Sequence, residues 1–200
     1  MKKPNYLVIG ILALIFTMVT YSCSSYNGLV DLDTEVEKTW NNVETQYQRR
    51  GDLIENLAKT TLKSAEVEKS ILTDVISARS AAKEIKLSPD QLTPENLQKF
   101  QQAQDNLNSA YSRSINVLFE RYPDLKSIEN FSKLNDEISG TENRISTARS
   151  DFNEAIMKYN KKVRRFPSNI LANIFGFDKK EGFKAEAGNE KAPDLGEILK

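Results

Sequence analysis

The apolar positions of this chain fall into two regimes. From Tyr6 to Tyr21 they are nearly continuous, and from Leu29 onward they recur at helical spacing. Leu29, Val36, Val43, Leu57, Ile71, Ala78 and Ile85 stand at multiples of seven, with Trp40, Tyr47, Ile54, Val75 and Ala82 as a companion column. Steps of three and four between the columns put both on one helix face. Arg50, Thr61, Ser64 and Glu68 interrupt the stripe. An interrupted stripe fits a globular bundle better than a long two-stranded coil.

Ser88-Pro89-Asp90 ends this pattern, and Thr93-Pro94-Glu95-Asn96 starts a new helix. Thr93 can accept from an early backbone N–H, and Pro94 stands where no donor is needed. Leu97, Phe100, Ala103, Leu107, Ala110, Tyr111, Val117 and Leu118 line it, up to Tyr122-Pro123. Phe131, Ile138, Ile145, Phe152 and Tyr159 then repeat every seven residues, partnered by Leu134, Thr141, Ala148 and Ala155. Phe166-Pro167-Ser168-Asn169 stops this last long helix. The short apolar run Ile170–Phe177 is expected to fold back over one end of the bundle. Beyond it the chain is polar and aperiodic, which predicts a loose tail.

Length raises a difficulty. A single helix from Gly28 to Ile85 would measure about 87 Å, against about 42 Å for the second helix and about 50–55 Å for the last. A break within Arg49-Arg50-Gly51-Asp52 would remove the mismatch. Gly51 is a weak helix former, and Asp52 with Glu55 has the spacing of a capping box. The heptad columns cross this site without a phase slip, which argues the other way. The length mismatch favours the break. The expected fold is all-α: an antiparallel four-helix bundle behind an N-terminal hydrophobic anchor, with an anchor at 1–25, a bundle at 26–177 and a polar flexible tail at 178–200.

No charge occurs from Pro4 to Val30. The apolar run inside this stretch is near the lower limit for a span, about 17–25 residues. Lys2 and Lys3 before it favour an N-terminus on the cytoplasmic side and a bundle on the extracytoplasmic side. Two tethers fit. One is an uncleaved signal anchor. The other is a signal peptide removed at Cys23, which would then carry lipid, since Ser22-Cys23-Ser24-Ser25 places a small residue before the cysteine and a polar tether after it. Thr20 and Tyr21 fit a lipoprotein signal loosely.

Composition narrows the chemistry. Lys+Arg and Asp+Glu are both 28, so the net charge is zero and no basic field exists to hold nucleic acid. Histidine is absent, which removes the commonest general base and metal ligand. Cys23 is the only cysteine, so neither an intrachain disulfide nor a Cys–His pair can form. Di-iron sites in helical bundles need Glu-x-x-His. No catalytic residue and no cofactor is expected.

Two polar clusters are candidate interaction sites. Arg49, Arg50 and Asp52 could bind an anion or a partner at an interhelical turn. The plainer reading is that Arg50 snorkels from the stripe and Asp52 caps a helix. Glu142 and Arg144, around Asn143, could form a polar patch, or simply a solvated face. Trp40 and Tyr47 are expected in the core. The Ile170–Phe177 run is expected to cap the bundle rather than touch a membrane or partner helix.

The motifs together resemble the LemA family of bacterial membrane-anchored helical proteins. The matching stretches include Tyr26-Asn27-Gly28-Leu29-Val30, Trp40, Arg49 through Leu57, Tyr122-Pro123-Asp124-Leu125-Lys126, Thr141-Glu142-Asn143-Arg144-Ile145, Phe166-Pro167-Ser168-Asn169 and Phe175-Gly176-Phe177. They run from Tyr26 to about Phe183 in the family's order. The resemblance implies a four-helix bundle behind a hydrophobic segment and no established enzymatic activity. Three positions depart from the family pattern. Glu55 stands where proline is common, Phe152-Asn153 replaces Tyr-Asn, and Cys23 precedes the Tyr-Asn motif. The expected function is a non-enzymatic, membrane-tethered protein of the bacterial envelope that acts through an envelope protein partner. The alternative is a sensor or carrier for a small molecule or lipid, which would need an internal cavity.

Overall fold

The computed structural model describes residues 6–64 and 67–184. Five α-helices and no strand occur among them: α1 (Tyr6–Ser64), α2 (Ser70–Glu84), α3 (Pro94–Arg121), α4 (Glu129–Arg164) and α5 (Ser168–Phe175). Short 3₁₀ turns at Pro89–Gln91 and Pro123–Ser127 connect α2 to α3 and α3 to α4. The proline-marked boundaries fall where the sequence places them. Thr93 Oγ1 accepts from the Asn96 N–H at 3.2 Å, and the Tyr122 N–H closes α3 on the Leu118 carbonyl.

The first helix is the exception. It runs unbroken through Arg49-Arg50-Gly51-Asp52, and the reversal falls between Ser64 and Ser70. Gly51 costs a helix only about 1 kcal/mol relative to alanine, and packing on both sides of it overrides that cost. Asp52 caps nothing; it pairs with Arg79 of α2 at 3.1 Å. The length mismatch is resolved differently. The first buried apolar residue of α1 is Leu29, so its packed part, 29–64, matches the 36 residues of α4, about 54 Å.

Cross-helix pairs set the directions. Gly28 faces Lys162 and Arg50 meets Glu142, so α1 and α4 run oppositely. Trp40 Nε1 donates to the Leu87 carbonyl just past α2, while Arg79 of α2 bonds the Gly51 carbonyl, so α2 returns along α1. Tyr111 Oη donates to Asn135 Oδ1 at 2.6 Å, tying α3 to α4.

The core has two apolar clusters. One gathers Leu29, Trp40, Tyr47, Phe100, Phe152 and Tyr159; the other gathers Ile54, Leu72, Leu107, Leu118, Phe131 and Ile138. Trp40 is fully buried, its ring 5.3 Å from both Phe100 and Phe152.

The boundary expected after Phe177 does not coincide with the end of packing. Residues 178–184 lie along α4 as a strap. Asn153 and Asn160, seven apart on α4, each bond the strap's backbone twice. Asn153 takes the Phe183 N–H (2.8 Å) and donates to its carbonyl (3.1 Å), and Asn160 does the same for Lys180 (3.0 and 2.8 Å). Phe183 is buried against Trp40 and Phe152. Amide side chains thus supply the strap's backbone with the hydrogen bonds a strand would otherwise supply, so no periodicity is needed to hold it. The rest of the expected tail lies outside the described residues.

Candidate functional site

A polar layer separates the two apolar clusters. It lies one helical turn from each cluster on three helices: Arg50 between Tyr47 and Ile54, Gln104 between Phe100 and Leu107, Thr141 and Glu142 between Ile138 and Ile145. The Arg50 side chain is 3% exposed. Its Nη1 donates to Glu142 Oε1 at 2.8 Å, and its Nη2 donates to both the carbonyl and the Oε1 of Gln104 at 3.0 Å. The Arg50 guanidinium carbon stands 5.1 Å from the Tyr47 ring centroid, a cation–π contact. Arg50 therefore does not snorkel to water. A buried charge is tolerated when paired and hydrogen-bonded, and α3 and α4 provide both. Thr141 settles its hydroxyl on the Glu137 carbonyl at 2.8 Å.

The layer shapes the acidity of the phenols beside it. Burial pushes Tyr47 above its ordinary value of 10.0, with Arg149 and Arg50 pulling it back. Burial also pushes Tyr111 up, and the Glu142 charge adds to the effect. Both phenols stay neutral and none is activated as a nucleophile. Beside Tyr47 an open cleft of ≈ 120 Å³ lies between α1, α2 and α3, lined by Tyr47, Gly51, Arg79, Lys83, Phe100 and Gln104 among others.

The structure brings together two of the six residues singled out from the sequence, Arg50 and Glu142. Arg49 is exposed and lies 3.9 Å from Glu137. Asp52 points to α2, where Arg79 also bonds the Gly51 carbonyl at 3.0 Å and pairs with Glu55. A hydrogen bond from Lys59 holds the Glu55 carboxyl below the usual carboxylate range, against the opposing effect of burial. Arg144 is exposed on α4. Cys23 is a free, exposed thiol within α1. Sequence reasoning missed Gln104. The signal was present, because Gln104 lies four residues after Phe100 and three before Leu107, on the buried face. Among the described residues no cluster of three or more Cys, Asp or Glu is placed to hold a metal ion.

Upstream of the packed helices, the N-terminal part of α1 is long and apolar enough to cross a membrane, and its side chains from Leu7 to Val19 are exposed.

The chain is similar to proteins named for the magnetosome. Magnetosome proteins MamQ 1 and MamQ 2 of Paramagnetospirillum magneticum are each 28% identical to it, across 92% of this chain and 72% of theirs. MamQ of Magnetospirillum gryphiswaldense is 27% identical, across 88% of this chain and 71% of its own. The LemA family model matches residues 39–196, a span holding the polar layer, the strap and the core clusters except Leu29 and Val36, with Cys23 and the apolar segment outside it. On that match the chain belongs to the LemA family.

Proposed function

We propose that this protein is a non-catalytic, membrane-tethered helical bundle of the bacterial envelope that works by presenting helix faces to another envelope protein. The observation that carries the reading is the continuity of α1. One unbroken helix starts in an exposed apolar segment and ends in the core, so the packed helices are joined to their tether without a flexible linker. We read residues 29–64 of α1 with α2, α3 and α4 as an antiparallel four-helix bundle. Lys2 and Lys3 before the apolar run favour an extracytoplasmic bundle. Similarity to proteins named for the magnetosome, rather than for a reaction, favours an interaction role. The charged layer is compatible with it: Glu142 pairs with the buried Arg50 and neutralises it.

A carrier holding a lipid among the helices finds less support. The void among Ile54, Leu72, Val75 and Leu118 measures ≈ 10 Å³, about the room one water molecule needs and far below a lipid chain. The cleft beside Tyr47 is larger but opens to solvent.

Photo-cross-linking in intact envelopes tests the reading, with a benzophenone amino acid at exposed Arg49, Asp52 or Arg144. A discrete adduct with one envelope protein is expected. A chain that stays monomeric and uncross-linked at all three positions across growth conditions would overturn it. Mass spectrometry of the mature N-terminus decides the tether: a diacylglyceryl-modified Cys23 means a lipoprotein, and an intact terminus before Pro4 means a signal anchor.

A further inference from the structure

Helix α5 turns its apolar side away from the rest of the fold. Its buried residues are Ser168 and Ala172, whereas Ile170 (50%), Ile174 (67%) and Phe175 (55%) on it, and Phe166 (75%) just before it, are exposed. Isolated exposed apolar residues are ordinary, but a group of large ones on one short helix marks a surface that something covers.

Position says what covers it. Ser25 Oγ donates to Ser168 Oγ at 3.0 Å, and the Tyr26 ring meets Phe175 at 4.8 Å and Phe177 at 5.8 Å. α5 is therefore tied to α1 at residues 25 and 26. From Leu7 to Ser25 the helix rises about 28 Å, close to the ~30 Å of a bilayer's hydrocarbon core. α5 lies at the level where α1 would leave a membrane. Tyr21 and Tyr26, both exposed, stand where aromatic residues gather at membrane–water boundaries.

Charge agrees with position. α4 runs opposite to α1, so its last turn arrives at the same end, bearing exposed Lys161 and Arg164, with exposed Arg165 as its C-cap. Such cations complement the carbonyl end of a helix, and basic groups next to a membrane surface are attracted to anionic lipid. Exposed acids near these elements along the chain include Glu154, which pairs with Lys158, Asp178 and Asp31. Gly176, at φ 75°, ends α5 in the left-handed conformation, and the Phe177 N–H returns to the Ala172 carbonyl at 2.9 Å. That cap turns Phe177 back toward Tyr26 and leaves Ile170 and Ile174 facing outward.

We infer that α5 is an interfacial foot: its exposed apolar face rests in the surface of the anionic bilayer that α1 crosses, with Lys161, Arg164 and Arg165 against the lipid phosphates. The inference rests on the membrane-spanning reading of α1. Two contacts, one spanning and one lying flat, would set the tilt of the helices against the membrane and hold the interaction faces at a fixed height.

The test uses the full chain carrying Cys23→Ser, reconstituted in vesicles of phosphatidylcholine and phosphatidylglycerol. A nitroxide is placed in turn at Ile174→Cys, Leu12→Cys and Ser109→Cys. Relaxation by oxygen against an aqueous nickel complex reports depth. The label at 174 is expected to show an oxygen preference several-fold above that at exposed Ser109, approaching that at 12. A label at 12 in lipid with one at 174 as water-accessible as Ser109 would overturn the foot and leave the tether standing. A water-accessible label at 12 would overturn both. Dipolar broadening between labels at 174, lost on dilution with unlabelled protein, would mean that a second copy covers α5 and would also overturn the proposal. Ile170→Glu with Phe175→Glu, both on the exposed face, should move the 174 label into water without altering the helical circular dichroism.

Discussion

Arg50 on α1 and Glu142 on α4, 92 positions apart in sequence, are joined by a 2.8 Å charged hydrogen bond between the two halves of the core. The two are not equally buried: Arg50 is 3% exposed and Glu142 is 38% exposed. Removing the carboxylate strands a buried cation, whereas removing the cation leaves a carboxylate that water can reach. Glu142→Ala should therefore cost about 2–3 kcal/mol, somewhat below a fully buried pair. Replacing both residues by apolar ones, Arg50→Met with Glu142→Leu, should restore most of the loss. Denaturant unfolding of the four-member cycle measures the coupling. Simple additivity of the two single changes would remove the pair from the account.

The strap gives a second prediction. Phe183 stacks at 6.1 Å on Trp40, the only tryptophan of the chain. Phe183→Ala should cost about 3 kcal/mol and move the Trp40 emission to longer wavelength as water reaches the ring. Asn153→Ala should produce the same spectral change more weakly, because it frees the strap's backbone without removing the ring. An unchanged emission in both variants would mean that the strap does not cover Trp40 in solution.

Gly51 tests the unbroken helix. A Cβ there would meet nothing within 4 Å, and the backbone is helical. Gly51→Ala should stabilise the protein by about 0.5–1 kcal/mol. A helix ending at this position would gain nothing from alanine, so an unchanged or lowered unfolding midpoint would favour the break.

Alkaline pH should destabilise the protein. Burial, followed by the charges of Asp33 and Asp178, pushes Tyr159 up to about 12, and burial raises Tyr47 and Tyr111 in the same direction. The folded state holds these protons where the unfolded chain, at 10.0, releases them. The unfolded state then binds fewer protons, so stability falls as pH rises. It is intact below 10.0 and declines between there and about 12. Phenolate absorbance should accordingly rise late and together with unfolding. Tyr159→Phe should blunt the decline, and an unaltered alkaline profile would contradict its assignment.

Much of this was legible in sequence because it rests on local rules. Period-seven columns on α4, Thr93-Pro94 at the start of α3 and Tyr122-Pro123 at its end depend on side-chain spacing and on the backbone chemistry of threonine and proline, which neighbours rarely override. The apolar run and the absence of histidine are equally plain. Tertiary packing decided the rest. Gly51 and Asp52 carry a genuine local signal for a break, but α1 is held straight by partners on both sides, so a cost of about 1 kcal/mol disappears into the packing. Arg50 reads as a snorkelling residue until Gln104 and Glu142, brought from two other helices, hydrogen-bond its guanidinium inside the core. The strap reads as tail because its partners are the amides of Asn153 and Asn160, whose seven-residue spacing was visible while the segment they hold was not. Periodicity along one helix reports which face is covered. What covers it, and which polar residue is satisfied there, depends on residues far away in the chain.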